Sequence, residues 1–70
     1  MNYDVEVISE RVHNNWMAAK KAAGVSSTKL DTTGEELMVP YSQLSEDAKE
    51  LDRGTVRAVL AAMQSVEEGK

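Results

Sequence analysis

The chain has 70 residues, no cysteine and one histidine, with 12 acidic against eight basic side chains and a formal net charge of −4. Disulfide frameworks and cysteine-based zinc sites are excluded, and nothing has the Asp-x-Asp-x-Asp-Gly spacing of a calcium loop. The acidic balance opposes the phosphate contacts that supply most nucleic-acid affinity, so no nucleic-acid partner is expected.

No apolar run approaches the roughly 18 residues of a membrane span, so no membrane partner is expected. The N-terminal Met1-Asn2-Tyr3-Asp4 lacks the positive and apolar regions of a signal peptide, and a cytoplasmic location follows as the expectation. A single domain of this size buries only about 60% of its unfolded surface. Self-association into a homodimer or higher oligomer is one way to supplement such a core.

Over residues 5–23 the apolar positions are Val5, Ile8, Val12, Trp16, Ala19 and Ala23. Steps of three and four predict one helix with that face buried. Asp4 is placed to cap its start and Gly24 to end it, while Lys20 and Lys21 complement the dipole in its last turn.

Residues 25–39, VSSTKLDTTGEELMV, are rich in Ser, Thr and Gly. Asp31-Thr32-Thr33-Gly34 is a turn signal between short apolar pieces, which predicts a small hairpin or a plain loop. The hairpin's arms would be Lys29-Leu30 and Leu37-Met38-Val39, with Pro40 closing the second. Ser45 followed by Glu46 and Asp47 predicts a capped short helix to about Leu51. Asp52 then offers a second cap, and Val56, Val59, Leu60, Met63 and Val66 form one face of a last helix. The polar tail 67–70 is expected to fray. The predicted fold is mainly α: about three helices in one domain over residues 1–70, with a short β-hairpin or loop between the first two.

The segments RVHNNWMAAKKAAG and VPYSQLSEDAKELDRGTV carry a family resemblance. Val12, His13, Trp16 and Gly24, then Pro40, Tyr41, Leu44, Lys49, Asp52 and Arg53, follow in the order and spacing of the Ryr domain. This is the ryanodine receptor repeat, which also occurs as small free-standing bacterial and phage proteins. The resemblance covers about residues 9–63. Two stretches depart from the family pattern. Val25-Ser26-Ser27-Thr28 stands where many members have an aromatic residue and a Tyr-Gly pair, and Glu35-Glu36 stands where they have His-Pro. The resemblance implies a small binding module for an adenine nucleotide, an NAD-derived molecule or a cyclic nucleotide signal. For bacterial relatives it implies a part in immune signalling, in which one copy sequesters the molecule.

No catalytic constellation is legible. A nucleophile needs a base that a third group orients, and His13 has no Gly-x-Ser-x-Gly elbow or similar turn beside it. A non-enzyme without cofactor or metal is therefore expected, and Glu35-Glu36 read as solvated charge in a turn. Trp16 has two readings: the core anchor of the first helix in a chain without Phe, or a stacking platform giving about 1–3 kcal/mol per base. His13, three residues away, either hydrogen-bonds to backbone near Tyr41 or lines the same cleft. Tyr41, oriented by Pro40, either packs over the first helix or stacks on a ligand.

Arg53 and Arg57, at the predicted start of the last helix, would suit a phosphate beside free backbone N–H groups. The plainer alternative pairs them with Glu46, Glu50 or Asp52 on the surface, and Lys20 and Lys49 carry the same ambiguity. The candidate ligand-binding set is thus His13, Trp16, Lys20, Tyr41, Arg53 and Arg57. Two other functions compete with it. One is a protein–protein interaction domain; the other is DNA binding, because SEDAKELDRGTVRAVLAAM has the order of a helix-turn-helix, although only Arg57 would reach DNA.

Overall fold

Helix α1 spans Val5–Ala22 in a computed structural model that describes residues 4–69. Asp4 caps it as its chemistry predicts, its carboxylate accepting from the backbone of Glu6 at 2.9 Å and Val7 at 3.2 Å. At the other end Gly24 takes φ +83°, the left-handed conformation that a helix-ending glycine adopts without steric cost.

The buried face of α1 is rotated from the expected one. Ser9 and His13 are its buried residues, flanked by half-buried Val5, Ile8, Trp16, Met17 and Lys20. Val12, Ala19 and Ala23 are exposed. Two polar ties account for the rotation: His13 is bonded to the loop and Glu6 to Arg53 on the second helix. A count of apolar spacing does not register a buried serine or histidine. Trp16 is accordingly not the core anchor; His13 is the deeper of the two.

The connection contains no β-strand among the described residues, so the hairpin is not formed. In its place is one antiparallel bridge, Lys29 to Glu36, inside a loop. Leu30 N–H donates to Glu35 O at 2.8 Å and Leu37 N–H to Thr28 O at 2.8 Å. Gly34, at φ +75°, closes the turn onto Leu30 O. After Pro40 comes a single 3-10 turn, Tyr41–Gln43, which the sequence reading did not anticipate.

Helix α2 runs unbroken over Glu46–Glu68, where two helices were expected. Ser45 caps it as predicted, its hydroxyl accepting from Ala48 N–H at 3.1 Å. The break at residues 52–54 does not occur because tertiary contacts claim the residues that signal it. Asp52 turns toward His13, Arg53 is held by Glu6, and Val56 is buried. Gly54 costs about 1 kcal/mol of helix propensity, which these contacts offset. A continuous α2 also removes the turn that a helix-turn-helix needs. The helix persists through Glu67 and Glu68, where fraying was expected; Lys70 lies outside the described residues, as do Met1, Asn2 and Tyr3.

The core is small. Tyr41, Leu44 and Ala48 form its centre, with Leu37 and Val39 packed against it and Val56 holding α2 to the molecule further along. No described helix is long and apolar enough to cross a membrane.

Candidate functional site

His13 organises the centre of the molecule. Its Nε2 donates to the Val39 carbonyl at 2.7 Å; a carbonyl only accepts, so this nitrogen carries the proton. Its Nδ1 then faces Asp52 Oδ2 on α2 at 3.6 Å, and the contact becomes an ion pair when Nδ1 is also protonated. Partial burial pushes the Asp52 carboxyl above its usual value, and the nearby His13 ring opposes that rise. The Trp16 indole stacks on the same imidazole, with centroids 5.5 Å apart and planes 27° from parallel. Tyr41 lies on another side at 6.1 Å. One imidazole therefore bonds α1 to the loop and packs beside Asp52 of α2 and the Trp16 and Tyr41 rings.

Beside this cluster opens a cleft of about 320 Å³, lined by Val12, His13, Trp16, Leu37, Leu44, Ala48, Leu51, Asp52 and Thr55. Its walls are mostly hydrocarbon. Trp16 supplies a planar ring and Asp52 a carboxylate, and the Lys20 ammonium lies 5.8 Å from the indole centre. A volume just above 300 Å³ with a few polar groups in apolar walls falls within the range of small-molecule sites.

The candidate residues divide between two regions. His13 and Trp16 share the cleft, and Lys20 stands next to Trp16. Tyr41 is buried and does not line it. The Tyr41 hydroxyl is buried beside the Glu6 carboxylate; burial foremost, and Glu6 after it, push its pKa upward. The Lys49 ammonium lies 5.6 Å from the Tyr41 ring centre.

Arg53 and Arg57 are elsewhere. The Arg53 guanidinium donates to Glu6 through Nε at 2.7 Å and Nη2 at 3.1 Å, and through Nη1 to Glu46 at 2.9 Å and Glu50 at 3.4 Å. Three carboxylates raise its already high pKa further, and Arg53 in turn holds Glu6 below the ordinary carboxylate range. Arg57 donates to the other oxygen of Glu50 at 2.7 Å. Because α2 begins at Glu46, neither arginine stands at a helix N-terminus, and the expected phosphate site is not assembled. The surface pairing with Glu46 and Glu50 is what forms, with Glu6 added and Asp52 absent from it.

Glu35 and Glu36 are not idle charge. Glu36 accepts from the Ser27 hydroxyl, from Thr28 N–H at 2.8 Å and from Met38 N–H at 3.0 Å. Those bonds, the Ser27 one first, lower its pKa to about 2. Glu35 grips Ser45, which lowers its pKa as well. Sequence reasoning missed Asp52 and Thr55 as cleft residues, having read Asp52 as a helix cap. The spacing that could have identified it, His13 and Asp52 as an acid–base pair across two helices, is visible only once the helices are packed. Among the described residues, no three His, Asp or Glu side chains gather where a metal ion could be held.

These features define a small α-domain in which two helices are joined by the Glu6–Arg53 pair, centred on a buried histidine and flanked by an apolar cleft. A family model described as the RyR domain matches residues 1–68, and the chain belongs to that family. The residues of the resemblance meet in space: His13, Trp16, Tyr41 and Asp52 form the central cluster, Leu44 is in the core, and Gly24 ends α1. Neither curated proteins nor solved structures yield a match.

Proposed function

We propose that this RyR domain is a non-catalytic binding module of the small bacterial or phage type, which captures a nucleotide-derived molecule in the His13–Trp16 cleft. The observation that carries this reading is that Trp16 and Asp52 line one apolar cleft large enough for a heterocycle. A purine would lie against the indole. Its exocyclic amine would donate to Asp52, and a phosphate would run out toward Lys20. An adenine nucleotide, an NAD-derived molecule and a cyclic nucleotide signal share that chemistry. His13 serves as scaffold here, because its Nε2 proton is committed to Val39 and its other nitrogen faces Asp52. A stoichiometric cytoplasmic binder of this kind would sequester an immune signal without turning it over.

The test is a thermal-shift series with AMP, ADP-ribose, NAD and cyclic dinucleotides, repeated on Asp52→Asn. A ligand at 100 times its Kd adds about 2.7 kcal/mol to the folded state, which raises the midpoint measurably. The expected result is a shift with at least one adenine compound that Asp52→Asn diminishes. No shift with any of them at millimolar concentration sinks the proposal.

A further inference from the structure

The far half of α2 has an apolar side that is left exposed among the described residues. Val59 and Met63 are each about half exposed, and Val66 is 68% exposed. On the same side a groove of about 280 Å³ runs between the helices, lined by Ile8, Val12, Thr55, Val56, Val59, Leu60 and Met63. One end of the face is thus a projecting valine and the other a hydrocarbon groove, with Val56 and Val66 about 15 Å apart along the helix.

We infer that this face is the interface of a two-fold homodimer in which the α2 helices pack antiparallel and Val66 of each copy enters the groove of the other. Three observations point to a second copy as the occupant. The first is self-complementarity: a two-fold axis passing near Ala62 brings knob to groove and groove to knob in one operation, as an isologous interface requires.

The second is charge. The last turn of α2 carries Glu67 and Glu68 and no basic residue, which opposes the negative end of the helix dipole. With Val66 level with the partner copy's residue 58, the acidic end of each α2 lies beside the middle of the partner helix, whereas parallel packing would bring Glu67 and Glu68 of both copies together. The antiparallel dipoles also align favourably.

The third is area. The chain exposes 5075 Å², against about 4300 Å² for a compact monomer of its mass. Its radius of gyration is 13.9 Å where about 11 Å is usual for this length. The surplus surface, about 775 Å² taken over the whole chain, is close to the roughly 800 Å² that each partner contributes to a standard interface. The groove shares Val12 and Thr55 with the cleft, and the mass measurement below reads association with no ligand present.

The experiment is sedimentation equilibrium on the full chain and on Val66→Asp, with circular dichroism as the control for folding. The wild type is expected at twice the 7.7 kDa chain mass at tens of micromolar, and Val66→Asp at the monomer mass with its helicity kept. A wild type that stays monomeric at 100 micromolar overturns the inference. Orientation is read by mixing Val59→Cys with Val66→Cys under oxidation, in a chain that has no other cysteine. Antiparallel packing gives the mixed 59–66 disulfide in excess, whereas a predominance of 66–66 over 59–66 overturns the antiparallel dimer.

Discussion

Glu35 holds Ser45 twice, accepting from its backbone N–H at 2.8 Å and from its hydroxyl at 2.6 Å. The same hydroxyl oxygen accepts from Ala48 N–H in the first turn of α2. A loop carboxylate therefore orients the cap of the longest helix, and the turn at 31–34 is coupled to α2 through two side chains. Ser45→Ala removes the cap and one of Glu35's two donors. We expect it to cost about 1 kcal/mol, lowering the thermal midpoint by several degrees in a domain of this size. Glu35→Gln keeps an acceptor and is expected to lose less than Ser45→Ala. The reverse order in a melting comparison would show that Ser45 caps without help.

Glu36 sets the acid limit of the loop. Its pKa falls from 4.5 to about 2 on folding, so the folded state binds its proton more weakly than the unfolded chain. The stabilisation is complete above pH 4.5 and disappears as pH drops from there toward about 2. A plot of midpoint against pH should fall across that window in the wild type. Glu36→Gln should start lower at neutral pH and fall less steeply. Parallel curves would remove Glu36 from the account.

His13 lies deeper than Trp16. His13 is buried and bonded to Val39, whereas Trp16 is half-buried at the cleft wall. His13→Ala leaves the Val39 carbonyl without its donor and should cost about 2 kcal/mol. Trp16→Ala should be the milder change in urea titrations and the stronger one in ligand titrations. A larger stability loss for Trp16→Ala would restore it as the anchor.

Ser9 is fully buried, and its hydroxyl has no hydrogen-bond partner among the described residues. An orphaned buried donor costs about 1–3 kcal/mol in desolvation. Ser9→Ala removes it with little change in volume and is expected to raise stability by about 1 kcal/mol. If denaturant unfolding shows a loss instead, the hydroxyl has a partner such as a bound water.

Local chemistry was legible and long-range chemistry was not. Asp4, Gly24 and Ser45 act on their immediate neighbours, so the ends of α1 and the start of α2 follow from residue type alone. Asp52 and Gly54 also carry a local signal, but His13, Glu6 and the burial of Val56 override it and keep α2 continuous. The pairing of two of the six candidate site residues, His13 and Trp16, was visible as helical spacing. Their third partner, Asp52, arrives from another helix. The arginines were misplaced for the same reason: a helix that starts at Glu46 rather than after Asp52 carries them away from its N-terminus and among acids.

The bond from His13 to Val39 also decides where the chain can change in length. Between Glu36, fixed by Ser27, Thr28 and Met38, and Tyr41, fixed in the core, there is no slack. An inserted residue there would draw the Val39 carbonyl off the imidazole and swing Tyr41 out of place. At Thr32 and Thr33, exposed at the tip of the turn, added residues would extend into solvent and leave both carboxylate grips intact. Related sequences should therefore vary in length at 32–33 and keep a constant count from 36 to 41, and a peptide tag grafted into this domain belongs at the turn.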